Sequence, residues 1–450
     1  MMKGEIIFQT ESLCPICLKK IKAYRWKEGD RVYLKKKCDD HGEFKTLIWN
    51  GDPSIDKWIR KKIPSRPKKS FTEIEKGCPF DCGICNDHRQ HTCTALIEVT
   101  NRCNLECRFC FASSKKGDLQ DPSLDKIKSW YERLLEGGGP YNIQISGGEP
   151  TLRDDLDKII ELGHHMGFDF IQLNTNGLRI AEDEEYVRRL KKSGLNSVFL
   201  QFDGTNDNIY KSLRGKNLFK TKVKAIENLD KYNIGVILVP TLVPHVNMDN
   251  IGEIIDFAID RIPHIRGVHF QPVSYFGRFT PESNENTRIT IPDIIREIEK
   301  QTRGRIKGET LKAPGCENSL CSFNGNYLYR GKNILKSISK ESCCGEVQRA
   351  EVGAKKARAF VARNWKLPNK TCKCGEDNFR DVSTFDEILN NLKTYTFSIS
   401  GMAFQDAWNI DLDRLKDCCI HVVSQKGDII PFCAYNLTDT RGNYLYRGKC

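Results

Sequence analysis

Long apolar runs are missing from this chain of 450 residues. The longest, Ile234 to Pro240, falls far short of the roughly 18 residues that a membrane span needs. No apolar stretch follows the N-terminus in the manner of a secretory signal, so the expected location is the cytoplasm. Basic residues crowd the same end. Residues 1–70 carry 18 Lys/Arg against 9 Asp/Glu, and most of the overall charge of +12 sits there. No aromatic-interleaved nucleic-acid motif accompanies those lysines, so no nucleic acid is expected and the basic face reads first as solvated surface. An anionic lipid surface, by peripheral membrane contact, and an acidic partner protein are the other readings. A repeat of fixed length is also absent. An apolar share of 39% and a charged share of 29% exclude a disordered or fibrous chain, and the length allows two or three domains.

Cysteine, by contrast, is abundant, with 20 in all. Without an export signal these do not form a disulfide framework; clustered thiols in a reducing compartment mean metal or redox chemistry. Composition divides the chain into a basic ribbon at 1–70, a cysteine-rich knot at 71–94, a βα region at 95–280 and a second cysteine-rich region at 281–450. The βα region predicts strands at Ala95–Thr100, Asn142–Ser146, Phe168–Asn174, Ser197–Phe202, Gly235–Thr241 and Gly267–Pro272. Helical patterns fall between them at Ser123–Glu136, Asp154–His165, Glu184–Lys192, Lys220–Lys231 and Asn250–Ile259. Strands and helices alternating at this spacing imply parallel βαβ units, in a doubly wound sheet or a full or partial barrel.

The sharpest motif follows the first of these strands. Cys103, Cys107 and Cys110 are spaced C-x3-C-x2-C in one loop, with Phe109 before the third. Three thiolates bind three irons of a [4Fe–4S] cluster and leave the fourth iron open to a ligand. The end of a strand in a parallel sheet is where such folds place their sites. After the second strand comes Ser146-Gly147-Gly148-Glu149-Pro150. Paired glycines let backbone approach a ligand closely, and a carboxylate can hold an ammonium group.

Together these motifs and the six βα units resemble the radical SAM (S-adenosylmethionine) superfamily, whose fold is a partial (β/α)6 barrel. The resemblance implies that Cys103, Cys107 and Cys110 hold the catalytic cluster and that Gly147, Gly148 and Glu149 hold the methionyl group of SAM. It also implies that Asn176, with Gln201 or Asp203, lines the SAM ribose and carboxylate. The implied activity is reductive cleavage of SAM to a 5′-deoxyadenosyl radical that abstracts hydrogen from an unactivated carbon. A reductant such as ferredoxin or flavodoxin is the implied partner.

The remaining cysteines read as further metal sites. The same spacing recurs at Cys78, Cys82 and Cys85, with Cys93 shortly after, and four thiolates suit a closed auxiliary [4Fe–4S] cluster; zinc is the competing reading. Cys14 and Cys17, with Cys38 and His41 after a predicted hairpin, make a rubredoxin-like or zinc-ribbon-like mononuclear site for zinc or iron. Cys316, Cys321, Cys418 and Cys433 are the expected ligands of a second auxiliary cluster, with Cys419 the nearest substitute. Cys343, Cys344, Cys372 and Cys374 are left as redox-active, free or ligating thiols, and Cys450 is expected to be free.

The ribbon, the knot, the Pro314–Cys321 segment and the Phe397–Ala407 and Ile430–Asn436 segments resemble one branch of the superfamily. That branch holds archaeal tetraether lipid synthase, proteins described as dihydropterin methyltransferases, and TrsS-type radical SAM (seleno)proteins. It implies C–C bond formation or alkyl transfer on a lipid or small molecule, with a pterin or a peptide as the alternative. A multi-cluster electron carrier is the rival that is not an enzyme; it would have no need of the Gly-Gly-Glu motif.

Overall fold

The alternating segments at the N-terminus fold as an antiparallel meander of β1 (Glu5–Leu13), β2 (Lys20–Glu28), β3 (Arg31–Cys38) and β4 (Gly42–Asn50). Gly29 and Gly42, both at positive φ, make the tight connections. A sheet this small has little core of its own, so the rest of the chain holds its inner face. Arg25 pairs with Asp411 at 2.7 Å, and both are buried. Lys36 donates to the Ala407 carbonyl at 2.7 Å, and Trp49 packs on Trp58. Stranding Asp411 without its arginine would cost about 3–5 kcal/mol, the usual penalty for an unpaired buried charge.

The computed structural model describes residues 4–117, 120–279, 288–331, 334–338, 347–368 and 391–448. Cys343, Cys344, Cys372, Cys374 and Cys450 lie outside the described residues. The βα region supplies β5 (Thr94–Thr100), β6 (Asn142–Gly147), β7 (Ile171–Thr175), β8 (Ser197–Gln201), β9 (Gly235–Val239), the short β10 (Thr241–Leu242) and β11 (Ile265–Pro272). β9, a run of Val, Ile and Leu buried at every position, is the most apolar of them, while β6 and β7 alternate Ile or Leu with Gln, Ser and Asn. The helix Leu124–Glu136 shows how each cover is made. Ser123 caps it by accepting from the Lys126 N–H, and Ile127, Trp130, Tyr131 and Leu134 turn one stripe inward. The third strand begins at Ile171, not at Phe168 as the pattern predicts. Gly167 turns with positive φ, and the Phe168 N–H still closes the preceding helix on the Gly163 carbonyl at 3.1 Å.

The C-terminal stretch, which shows no βα period, adds β12 (Ser322–Tyr329), β13 (Leu335–Ser337), β14 (Thr396–Met402), β15 (Ile420–Val423) and β16 (Ile429–Pro431) to the same sheet. The strand order is β13-β12-β14-β11-β9-β8-β7-β6-β5-β15-β16, with β10 paired to β11. From β14 across to β15 every pairing is parallel. Alternate residues along these strands, among them Leu96, Gln144, Phe199, His269 and Ser400, line one cavity of about 570 Å³. The sheet therefore curls around that space as a partial (β/α)6 barrel, extended at both edges by C-terminal strands.

Candidate functional site

The loop after β5 is clamped by backbone on both sides. The Cys110 N–H donates to the Arg278 carbonyl and the Arg278 N–H returns to the Cys110 carbonyl, both at 2.9 Å. The Arg108 N–H reaches the Leu213 carbonyl at 3.1 Å, and Arg278 Nε donates to the Cys107 carbonyl at 2.7 Å. Gly277, at positive φ, lets these chains meet, since a Cβ there would lie 2.3 Å from the Cys110 carbonyl oxygen. Cys103, Cys107 and Cys110 all line the cavity. Burial pushes the Cys103 thiol up to about 12, with Glu149 and the other two thiols adding to the rise. Thiols that repel one another's charge are relieved by a bound cation. Three thiols in one loop facing a cavity are the donor set of a cluster with one open iron.

Gly147 and Gly148 bring the end of β6 onto this loop. The Gly148 N–H donates to the Thr100 carbonyl and the Glu149 N–H to the Arg102 carbonyl, both at 2.8 Å. A Cβ at Gly148 would sit 2.1 Å from the Arg102 carbonyl oxygen, so the glycines serve backbone-to-backbone packing. Glu149 is 1% exposed yet lines the cavity. Its Oε1 accepts from the Thr151 N–H (3.1 Å), the Thr151 hydroxyl (2.6 Å) and the Thr175 hydroxyl (2.6 Å), and its Oε2 from the Asn176 N–H (2.7 Å). The carboxylate thus fixes the turn and carries the negative charge beside the cysteines. Glu149→Gln removes that charge and aims an amide donor at one of four donors. The expected result is SAM binding weakened by about tenfold or more, with cluster iron retained. Equilibrium dialysis with iron analysis checks it, and unchanged affinity would reduce Glu149 to a turn cap.

Asn176 ties both motifs together, its Nδ2 donating to Asn104 Oδ1 at 2.7 Å. Gln201 lines the cavity beside it. Lys222, fully buried, donates to the Asn176 carbonyl and to Gln201 Oε1 (3.3 Å); burial draws its ammonium down to about 8. Asp203 is not among the lining residues. Its carboxylate is held bidentately by Arg214 at 2.7 and 2.6 Å, both groups buried, and it is Arg214 that faces the cavity and reaches the Cys107 thiol. Sequence reasoning missed Arg214, Lys222 and Asn104. Only Asn104 carried a signal, by lying inside the cysteine loop.

The ribbon brings Cys14, Cys17, Cys38 and His41 together, with all four ligand atoms within 4.8 Å of one another. The Cys14 and Cys38 sulfurs lie 3.6 and 3.5 Å from His41 Nδ1, and Cys17 lies 4.0 Å from Cys38. Bonds of about 2.3 Å in a tetrahedron give edges of about 3.7 Å, so one metal ion fits. The hydrogen bond from His41 holds the Cys38 thiol down at about 7, ready to ligate.

The other thiols regroup. Cys93 stands with Cys316 and Cys419, its sulfur 2.6 Å from that of Cys316, and these three are within 4.8 Å of one another. The thiols acting on Cys93 are Cys316 and Cys419, so it leaves the expected set with Cys78, Cys82 and Cys85. The cause is the sheet. Cys93 and Cys419 each precede one of the parallel partners β5 and β15, and the Cys93 N–H donates to the Cys419 carbonyl at 2.8 Å. Cys78, Cys82 and Cys85 stay together in a knot where Asp81 accepts three backbone N–H groups and the Tyr446 hydroxyl ties Pro79 to Cys82. Cys321, Cys418 and Cys433 remain electrostatic neighbours, with Arg414 donating to Cys321 at 3.4 Å and the Gln405 N–H to Cys433 at 3.2 Å. Cys93, Cys316 and Cys419 line the same cavity as the Cys103 loop, and Cys321, Cys418 and Cys433 do not.

A curled parallel sheet with a three-thiol loop after its first strand and a buried Gly-Gly-Glu after its second defines a radical SAM protein, an enzyme class that uses SAM and a [4Fe–4S] cluster. The chain belongs to the radical SAM superfamily, whose pattern matches residues 97–258, while residues 6–50 match the HMPTM N-terminal zinc ribbon domain. Over 95% of its length it is 36% identical to 7,8-dihydro-6-hydroxymethylpterin dimethyltransferase of Methanocaldococcus jannaschii, covering 93% of that protein. It is also 32% identical over 158 residues to mycofactocin maturase MftC of Mycolicibacterium smegmatis, or 35% of this chain and 39% of that one. Among solved structures, Streptococcus suis SuiB bound to its precursor peptide SuiA aligns with a TM-score of 0.41 and 18% identity, over 48% of this chain and 46% of that one. Among the described residues no helix is long and apolar enough to cross a membrane.

Proposed function

We propose that this enzyme functionalises an unactivated carbon of an apolar small molecule or lipid chain, by C–C bond formation or alkyl transfer. The observation that carries the reading is the cavity. Cys103, Cys107 and Cys110 line one part and Cys93, Cys316 and Cys419 another, and Phe170, Phe199, Phe276, Phe404 and Trp365 wall the space they share. Many of the polar groups on its strands pair among themselves, as Gln144 with Gln172 and His269 with Ser400, and so present little hydrogen-bonding demand to a ligand. The catalytic cluster would be held by Cys103, Cys107 and Cys110, and when bound with SAM it supplies one-electron cleavage of a carbon–sulfur bond to give a hydrogen-abstracting radical. Glu149 supplies the anion for the SAM ammonium, and Arg214, fixed by Asp203, supplies the cation for its carboxylate. The aromatic walls exclude water and keep substrate carbon between the two thiol groups. Cys93, Cys316 and Cys419 are the proposed seat of an auxiliary cluster, Cys78, Cys82 and Cys85 of another, and the ribbon of one zinc or iron. The reductant would be a ferredoxin or flavodoxin.

A pterin is the second reading. The name of the Methanocaldococcus relative supports it, as does Asn174, whose buried Oδ1 has no hydrogen-bond partner and which lines the cavity. The test is anaerobic turnover of the reconstituted, reduced protein with SAM and, separately, a lipid, a pterin and a peptide. A lipid-derived product formed with stoichiometric 5′-deoxyadenosine is expected. Product from the pterin or the peptide alone would replace the apolar reading.

A further inference from the structure

The cavity opens where two basic segments meet. The Ile63 N–H donates to the Gln348 carbonyl at 3.1 Å, and its carbonyl accepts from the Ala350 N–H at 2.9 Å. Gln348 and Lys356 are exposed and also line the cavity, which puts the mouth beside this bridge. Residues 59–69 contain six Lys/Arg and no acidic residue, and residues 347–366 contain six with a single Glu351. Lys62 turns inward to the Cys316 carbonyl and Lys69 pairs with Glu136, but Arg60, Lys61, Arg66, Arg349, Lys355 and Arg363 are exposed. Among these charges stand Ile59, Ile63, Val347 and Val352, each 42–46% exposed. The helix Ala350–Asn364 explains the arrangement. Gly353, Ala357 and Phe360 face the cavity, while Val352, Lys355, Ala359 and Arg363, three or four residues apart, cover an outward face.

We propose that this mouth is the docking surface for an anionic lipid bilayer, with the lysines and arginines at the headgroups and the isoleucine and valine tips in the acyl boundary. The proposal rests on the reading that the substrate is an apolar chain. Charge alone would also suit an acidic protein, but exposed aliphatic tips among these charges, with Ile63, Val347 and Val352 beside the entrance to an aromatic-walled cavity, fit the acyl boundary of a bilayer better. Each basic residue near an anionic surface adds attraction that salt screens, and each buried aliphatic tip adds attraction that salt leaves intact. With no membrane-spanning helix among the described residues, the contact is peripheral.

Sedimentation of the full chain with vesicles of mixed phosphatidylcholine and phosphatidylglycerol, against pure phosphatidylcholine, tests it. Binding to the anionic vesicles is expected to be about tenfold tighter or more, given a basic patch of this size. Lys355→Glu with Arg363→Glu should lower it by about tenfold, and Ile63→Ser with Val352→Ser by about as much, the latter at high salt too. All four positions are exposed and outside the catalytic site, so substrate-free SAM cleavage should stay at the wild-type rate. Equal binding to neutral vesicles, or variants that bind as the wild type does, overturns the proposal. So does a purified acidic ferredoxin whose binding needs these residues while vesicles do not bind. The underlying reading fails differently. Protein that binds anionic vesicles but makes no product from dispersed or bilayer-held lipid sustains the docking surface and removes the substrate class.

Discussion

Replacing Cys103, Cys107 or Cys110 by alanine is expected to abolish 5′-deoxyadenosine formation and to remove about four irons per chain, one cubane's worth. A cluster with three protein ligands has none to spare. The effect should be loss of function without loss of fold. What holds the loop is backbone, namely the paired bonds between Cys110 and Arg278 and the bond from Arg108 to Leu213. Neither needs a sulfur. Cys103 and Cys110 are only partly buried, so truncation there leaves little cavity. Melting temperatures close to that of the wild-type apoprotein would separate loss of chemistry from unfolding. Deoxyadenosine formed at the wild-type rate by all three variants would move the catalytic cluster elsewhere.

The parts of this site that were legible in the sequence are the local ones. Cys103 to Cys110 sit in one loop and Gly147 to Glu149 in one turn, so spacing reports their geometry directly. The barrel was legible for a similar reason. A strand such as Gly235–Val239, buried at every position, and a helix stripe such as Ile127, Trp130, Tyr131 and Leu134 are fixed by near neighbours. What was not legible depends on pairings across the chain. Asp203 looked free to meet SAM because nothing in its surroundings announces that Arg214, at the end of the next helix, takes both carboxylate oxygens. The strands after residue 320 give no βα period because β12, β13 and β16 join by antiparallel pairing and β14 and β15 enter at opposite edges of the sheet.

Cys93 is the clearest case, and it yields the second large prediction. By sequence it follows Cys85 closely; by register it belongs with Cys419, because β15 pairs with β5 from Ile420 opposite Thr94. Cys316 arrives from the loop ahead of β12, and Gly353 lets the helix Ala350–Asn364 press on that loop, a Cβ there lying 2.5 Å from the Gly315 carbonyl oxygen. The Cys93, Cys316 and Cys419 thiols border the cavity but stand apart from the Gly-Gly-Glu turn. Alanine at Cys316 or Cys419 should therefore eliminate substrate turnover while leaving SAM cleavage uncoupled but measurable. Iron analysis of double variants decides the grouping. Cys93→Ala with Cys316→Ala should lose no more iron than either change alone, about four atoms if the group is a cubane, because both empty one site. Cys93→Ala with Cys82→Ala should lose two sites' worth, because the Cys78–Cys85 knot is folded by Asp81 and Tyr446 without help from Cys93. The opposite pattern, with Cys93 additive to Cys316 and redundant with Cys82, would return Cys93 to the knot. Full turnover by Cys316→Ala with intact iron would make these thiols bystanders to a reaction that needs only the Cys103 loop.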